Sequence, residues 1–304
     1  SEDQGIYDTG RGEGGGIAPL GIRFCLHRLR RNGMNTKDEG LLIDALARSL
    51  AKNKLEYGMD GLAAWAVSHN IDEKGLSDVT DLLDSIYLEN YENKRSMLSD
   101  VSGIPQRVRC TFDNYDRRDA PKSNYEAVAA LKTLSFLKNG FNVIICGKRG
   151  TGKTHIAQAI GNECVDHLIK TSFYTMSTLK LKIAKALKNG TAGNFVSTLS
   201  GVQCLIIDDI DKSSLTKEET AVLFDVVNRK YSVIGSGSLV ITSNKQPSAW
   251  GNILQDADLA ECILDRLFDR SYCFEFTGES YRGKNKIVTH VDFGTTPKLP
   301  KIRK

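Results

Sequence analysis

Gly147-Lys148-Arg149-Gly150-Thr151-Gly152-Lys153-Thr154 fits G-x-x-x-x-G-K-[ST] at every defined position. An apolar run, Asn142-Val143-Ile144-Ile145-Cys146, precedes it and an amphipathic stretch follows, so the loop joins a buried strand to a helix. Glycines let such a loop curl until successive backbone N–H groups face a phosphate, and the helix N-terminus adds partial positive charge. In that frame Lys153 reaches the β- and γ-phosphates of a nucleotide, and Thr154 offers its hydroxyl to Mg²⁺.

A second run, Leu205-Ile206-Ile207-Asp208-Asp209, is an apolar strand ending in two acids. Paired with the loop, this is the Walker B pattern: Asp208 holds the magnesium shell, and Asp209 orients or deprotonates an attacking water. The next apolar strand, Ser238-Leu239-Val240-Ile241-Thr242, leads into Ser243-Asn244. Lying beside the Walker B strand, it carries Asn244 to the γ-phosphate, where the amide can hold the water. The chemistry these positions imply is ATP hydrolysis.

The elements that must place these groups alternate between helix and strand from about residue 123. Strands are predicted at 142–146, 172–175, 203–208, 238–242 and 272–276, and helices at 123–138, 153–169, 177–188, 217–231 and 257–270. That rhythm predicts an α/β fold, a parallel sheet with crossover helices, for 103–284. The rows Ile156-Ile160-Cys164-Leu168 and Ala157-Gly161-Val165 are expected to pack the helix after the loop onto the sheet. Upstream, 34–102 reads as a small all-helical module. Leu42, Leu46 and Leu50 form one stripe, a short helix covers Leu62 to Ser68, and a third helix from Ser77 turns Val79, Leu82, Leu83 and Ile86 inward. Gly103-Ile104-Pro105 ends it.

The chain has 304 residues and a net charge of +4, so nucleic-acid binding requires a local basic surface rather than bulk charge. Lys180, Lys182, Lys185 and Lys188 line one predicted helix, several on one face, and are the candidate for it. Residues 1–33 hold 8 of the 27 glycines and a basic run, and read as a flexible tail. The segment starts with Ser and precedes Met34, so it is either a basic arm or an addition upstream of a start at Met34. Residues 285–304 continue a basic C-terminal tail. Seven scattered cysteines without a C-x-x-C pair, no apolar run long enough to span a bilayer and no secretory signal point to the cytoplasm and to no membrane partner.

Taken together, the run ending in Thr154-His155, the Asp208-Asp209 pair and Ile241-Thr242-Ser243-Asn244 resemble the DnaC/IstB branch of AAA+ P-loop ATPases. Trp250-Gly251, Leu264-Asp265-Arg266-Leu267, Gly278-Glu279-Ser280-Tyr281-Arg282 and the lead-in Cys110-Thr111-Phe112-Asp113-Asn114-Tyr115 share the resemblance. It implies an ATPase that assembles into a ring or spiral with nucleotide at subunit junctions. By similarity His155 belongs to the nucleotide loop, Asn244 matches the sensor-1 position, Arg266 the arginine finger and Arg282 the sensor-2 arginine. Arg270 is a rival finger one turn along, and the alternative for Arg282 is a place in the basic tail. Where many relatives show Asn/Asp-x-Arg-Tyr, this chain has Asn228-Arg229-Lys230-Tyr231, so Arg229 and Lys230 are further candidates for phosphate or DNA contact.

Two functions follow from the resemblance. The first expectation is a replicative-helicase loader that grips the helicase through 34–102 and engages single-stranded DNA. The alternative is an IstB-type transposition helper that assembles on duplex DNA and recruits a transposase. A small-molecule kinase would need an arginine-bearing lid and an acceptor pocket, and neither is apparent.

Overall fold

The computed structural model describes residues 45, 48–49, 73–115, 121–233 and 237–281. The chain divides into two compact units, Ser1–Asn93 and Lys94–Lys304. The expected tails at 1–33 and 285–304, the helices at 42–50 and 62–68 and the sensor-2 candidate Arg282 lie outside the described residues, apart from positions 45, 48 and 49.

A long helix, α1 (Glu73–Ser102), begins four residues before the expected Ser77 and carries Gly75 inside it. In the first unit its less exposed row is Thr80, Leu83, Tyr87 and Tyr91, at helical spacing. Leu82 and Ile86, expected to face inward, are exposed, because the row is centred on Thr80 instead. Ser49 donates a hydrogen bond to the Thr80 carbonyl at 3.4 Å. In the second unit α1 stops at Ser102, as Gly103-Ile104-Pro105 predicts. Gly103 takes a φ of +73°, and the Ser102 hydroxyl receives the Ile104 N–H.

The second unit is a five-stranded, wholly parallel sheet in the order β2-β3-β4-β1-β5. Its strands are β1 (Asn142–Gly147), β2 (Thr171–Thr175), β3 (Cys204–Asp208), β4 (Ser238–Ser243) and β5 (Ser271–Phe276). β3 and β4 are buried along their whole length, which is why they read as continuous apolar runs rather than alternating ones. Alternate residues still serve opposite faces. Val143, Ile145, Ile206 and Val240 pack under α2 (Lys122–Lys132) and α4 (Lys153–Asp166). Ile144, Leu205, Ile207, Leu239 and Ile241 pack under α5 (Met176–Lys188), α6 (Ala192–Ser200), α7 (Lys217–Ser232) and α8 (Ala257–Asp269). On α4 the two expected rows are buried except for Leu168, which lies beyond the helix end with a φ of +56°.

Two helices differ from expectation. The stretch read as one helix over 123–138 is α2 followed by α3 (Ser135–Asn139), broken where the buried Leu134 adopts a left-handed backbone. The Thr133 hydroxyl bonds the Ala130 carbonyl and receives the Ser135 N–H, replacing the ladder bonds lost at the break. Helix α6 is not predicted by periodicity, because only Val196 and Leu199 are buried along it.

Lys230, on α7, is buried and donates to the Val202 carbonyl at 2.6 Å. Burial lowers its pKa from 10.5 to about 8. The native state therefore resists holding this charge below about pH 8, and that cost lifts as pH rises from 8 towards 10.5. The parent is expected to gain thermal stability relative to Lys230→Met between pH 7 and 10, as read by melting temperature; a constant gap across that range would refute this.

Candidate functional site

β1 ends at Gly147, whose φ is +139°, and a Cβ there would stand 2.0 Å from the Phe276 carbonyl oxygen of β5. Backbone angle and strand proximity both demand glycine. At Gly150 (φ +84°) a Cβ would strike the Ser280 hydroxyl, because Tyr281 N–H donates to the Gly150 carbonyl and lays the segment after β5 along the loop. Gly152 then caps α4. Thr151 is buried; its hydroxyl bonds the Lys148 carbonyl and its own carbonyl receives the Tyr115 hydroxyl at 3.2 Å. Lys148 and Arg149 are exposed on the outside of the curl.

Lys153 folds into that curl. Its ammonium donates to the carbonyls of Gly147 (2.9 Å) and Lys148 (2.7 Å) and to Asn244 Oδ1 (3.1 Å). Burial lowers its pKa, while the nearby Asp209, Asp211 and Asp208 oppose that shift. The loop therefore presents one partly desolvated cation at its centre, the counter-charge that a phosphate requires.

Opposite it stand the acids at the end of β3. Asp208 Oδ1 accepts from Thr154 at 3.1 Å and from Thr242 at 2.6 Å, so the two hydroxyls and the carboxylate touch. Burial raises the Asp208 pKa, the Thr242 bond opposes it, and the neighbouring Asp209 charge adds to the rise. Asp209 is left-handed (φ 54°, ψ 53°), and its N–H donates to the Thr242 hydroxyl at 2.8 Å. That turn swings its carboxylate off the strand end, where it pairs with Lys212 at 2.8 Å and accepts from Asn244 Nδ2 at 3.1 Å. Asn244 thus spans the cleft, its amide oxygen towards Lys153 and its amide nitrogen towards Asp209. The register that aligns β3 beside β4 brings the two strand ends together.

Two residues of this cluster carry no sequence expectation. Thr242 sits at the end of an apolar strand and enters the sequence reading only as part of the run Ile241-Thr242-Ser243-Asn244, with no role of its own. Asp211 accepts from the Asn244 N–H at 2.8 Å, the Asn244 amide and the Ser243 hydroxyl. Burial pushes its carboxyl up, but these bonds outweigh it and leave the pKa below the usual value. A third acid after a Walker B strand is a visible signal, though one that ordinarily marks a solvated turn.

Other expected residues lie elsewhere. His155 Nε2 is 2.9 Å from the Thr111 carbonyl and its ring tilts against Tyr115, so it fastens the lead-in segment instead of facing the loop's interior. Arg266 sits far down α8, at the level of the sheet edge where β1 and β5 begin, with its guanidinium over Phe224 and Tyr231. Its Nε donates to Asn228 Oδ1 at 3.0 Å, and Arg270 pairs with Asp269. The four α5 lysines do not act as one surface. Lys180 turns inward to the Ser214 carbonyl (2.6 Å) and Glu219. Lys182, Lys185 and Lys188 are exposed around Leu181, with Lys182 over the Tyr174 ring. Arg229 donates to Ser197, and Lys230, buried on Val202, is withdrawn from any DNA phosphate.

A family model described as IstB-like ATP binding protein matches residues 46–289. The chain belongs to that family. An IstB-like protein is ATP-binding by description, which agrees with a curled loop around Lys153. The insertion sequence IS5376 ATP-binding protein of Geobacillus stearothermophilus is 32% identical over 225 residues, 74% of this chain and 87% of the relative. The insertion sequence IS21 ATP-binding protein of Pseudomonas aeruginosa is 34% identical over 176 residues, 58% of this chain and 65% of the relative. The replicative helicase loader DnaC of Buchnera aphidicola is 30% identical over 246 residues, 79% of this chain and 93% of that protein. This IstB-like chain has a parallel P-loop sheet, and among its described residues no helix is long and apolar enough to cross a membrane.

Proposed function

We propose that this protein is a Mg²⁺-dependent ATPase of the IstB type, a transposition helper that assembles on duplex DNA and recruits a transposase. The observation that carries the ATPase reading is the meeting of Lys153, Asp209 and Asn244 across one cleft. The family match and the insertion-sequence relatives favour the transposition setting over the helicase loader that the sequence resemblance put first.

In this reading Lys153 binds the β- and γ-phosphates, and Asn244 and Asp209 hold the attacking water, with Asp209 taking its proton. Thr154 and Asp208 supply the oxygen ligands for Mg²⁺, and an all-oxygen donor pair suits that hard ion. The ion supplies charge neutralisation at the phosphates. Arg266 reaches the site of a neighbouring protomer, and Lys182, Lys185 and Lys188 track DNA phosphates.

The test is duplex-dependent assembly. With a non-hydrolysable ATP analogue the protein is expected to co-sediment with duplex DNA, and to release it with ADP. Lys182→Glu/Lys185→Glu/Lys188→Glu should lower duplex affinity more than tenfold at low salt and reduce the slope of log affinity against log salt by about 2–3. A stable complex with the replicative helicase and no assembly on duplex would restore the loader reading. Unchanged binding by the triple variant would remove DNA contact from α5.

A further inference from the structure

We infer that Asp211 is a positioning residue for Asn244, holding its amide in the one orientation that serves the attacking water; this rests on the ATPase reading above. An asparagine amide has a broad terminal torsion and two ends of similar shape, so an unsupported Asn244 would sample both. Three groups fix it here. Lys153 donates to its oxygen (3.1 Å), Asp209 accepts from its nitrogen (3.1 Å), and Asp211 accepts from both its nitrogen (3.3 Å) and its backbone N–H (2.8 Å).

These supports are unequal. A phosphate is a better partner for the Lys153 ammonium than a neutral amide oxygen, so nucleotide binding competes with the first. Asp209 is the residue that must give its carboxylate to the water. Asp211 has neither duty, and it grips main chain and side chain of the same residue, which ties the amide to the end of β4.

Asp211 is itself built in. The left-handed turn at Asp209 and the short turn Ile210–Lys212 bring it back beneath β4. The Ser243 hydroxyl donates to it at 3.3 Å while accepting from the Lys245 N–H (3.0 Å) and the indole N–H of Trp250 (3.1 Å). Trp250 is buried in the core under α8. A rigid core residue thus orients Ser243, which orients Asp211, which orients Asn244.

The experiment is a cycle of steady-state ATPase and nucleotide-affinity measurements on the full chain with its DNA. Asp211→Ala is expected to lower kcat about 10–100-fold, the cost of a misplaced but present group, with ATP affinity within about threefold of the parent. Asp211→Asn keeps an acceptor for the Asn244 N–H and should recover most of that loss, at an unchanged melting temperature. In an Asn244→Ala background, Asp211→Ala should cost nothing further, because its effect runs through the amide. Parental kcat in Asp211→Ala, no recovery in Asp211→Asn, or an undiminished second loss in the Asn244→Ala background each overturns the assignment while leaving the ATPase reading intact. A parent that does not hydrolyse ATP overturns both.

Discussion

Asp209→Asn is expected to bind ATP as tightly as the parent and to lose about 10²–10⁴-fold in kcat, the usual contribution of a positioned general base. The substitution isolates that role because the backbone and the hydrogen bonds to Thr242 and Asn244 at position 209 survive it. The left-handed backbone (φ 54°, ψ 53°) is one that Asn adopts as readily as Asp. The backbone N–H still reaches the Thr242 hydroxyl, and the side-chain oxygen can still accept from Asn244. What disappears is the negative charge and the capacity to take a proton. The Lys212 partner is lost, a modest cost because that lysine is about half exposed, although the Asp209 end of the pair is largely buried. The measurement is single-turnover hydrolysis beside equilibrium binding of an ATP analogue. Parental turnover by Asp209→Asn would remove it as the base, and lost binding would show that the charge serves nucleotide capture instead.

Much of this site is legible in the sequence because backbone geometry, not packing, dictates its residue types. Gly147 must be glycine since β5 passes within contact of where a Cβ would sit, and strand-loop-helix context tells such a glycine from a chance turn. Asp208, Asp209 and Asn244 are legible as acids and an amide immediately after apolar runs, where the C-terminal edge of a parallel sheet opens. The strands themselves are plain because β3 and β4 are covered on both faces.

The remainder depends on tertiary neighbours that periodicity does not encode. Lys230 looks like any other lysine late on a surface helix, yet α7 turns it under the sheet to meet the Val202 carbonyl. Lys180 shares helical spacing with three solvated lysines, but lies on the flank of α5 that meets Ser214 and Glu219. Thr242 reads as one more β-branched strand residue until β3 is placed beside it. Leu134 breaks a predicted helix with no glycine or proline to mark it, taking a left-handed backbone while its side chain packs in the core. In each case the residue's chemistry is ordinary, and the neighbour supplied by another part of the chain decides its role.

Arg266→Ala is expected to leave nucleotide affinity unchanged and to lower kcat about 10³-fold, the lower end of what an arginine finger contributes. Arg266 does not join the cluster of Lys153, Asp209 and Asn244; it lies towards the end of α8, where the chain turns into β5 at the opposite edge of the sheet from Gly147. The finger proposed for it would therefore serve a neighbouring protomer's cleft rather than its own. In its own chain the guanidinium is held in place: Phe224 and Tyr231 lie 5.2 and 5.8 Å from it, and Asn228 Oδ1 and the Cys262 carbonyl accept two of its N–H groups. The head-to-tail contact that the proposed finger requires would pair one protomer's cleft with the next protomer's α8. Mixing gives the decisive readout. Arg266→Ala keeps an intact cleft and Asp209→Asn keeps an intact finger, so each alone is inactive. An equimolar mixture on DNA forms about a quarter of its junctions from the two intact halves and should recover turnover in that proportion. A mixture as inactive as its components, with both proteins shown to co-assemble, would mean that Arg266 acts only within its own chain, as a packing residue of α7 and α8.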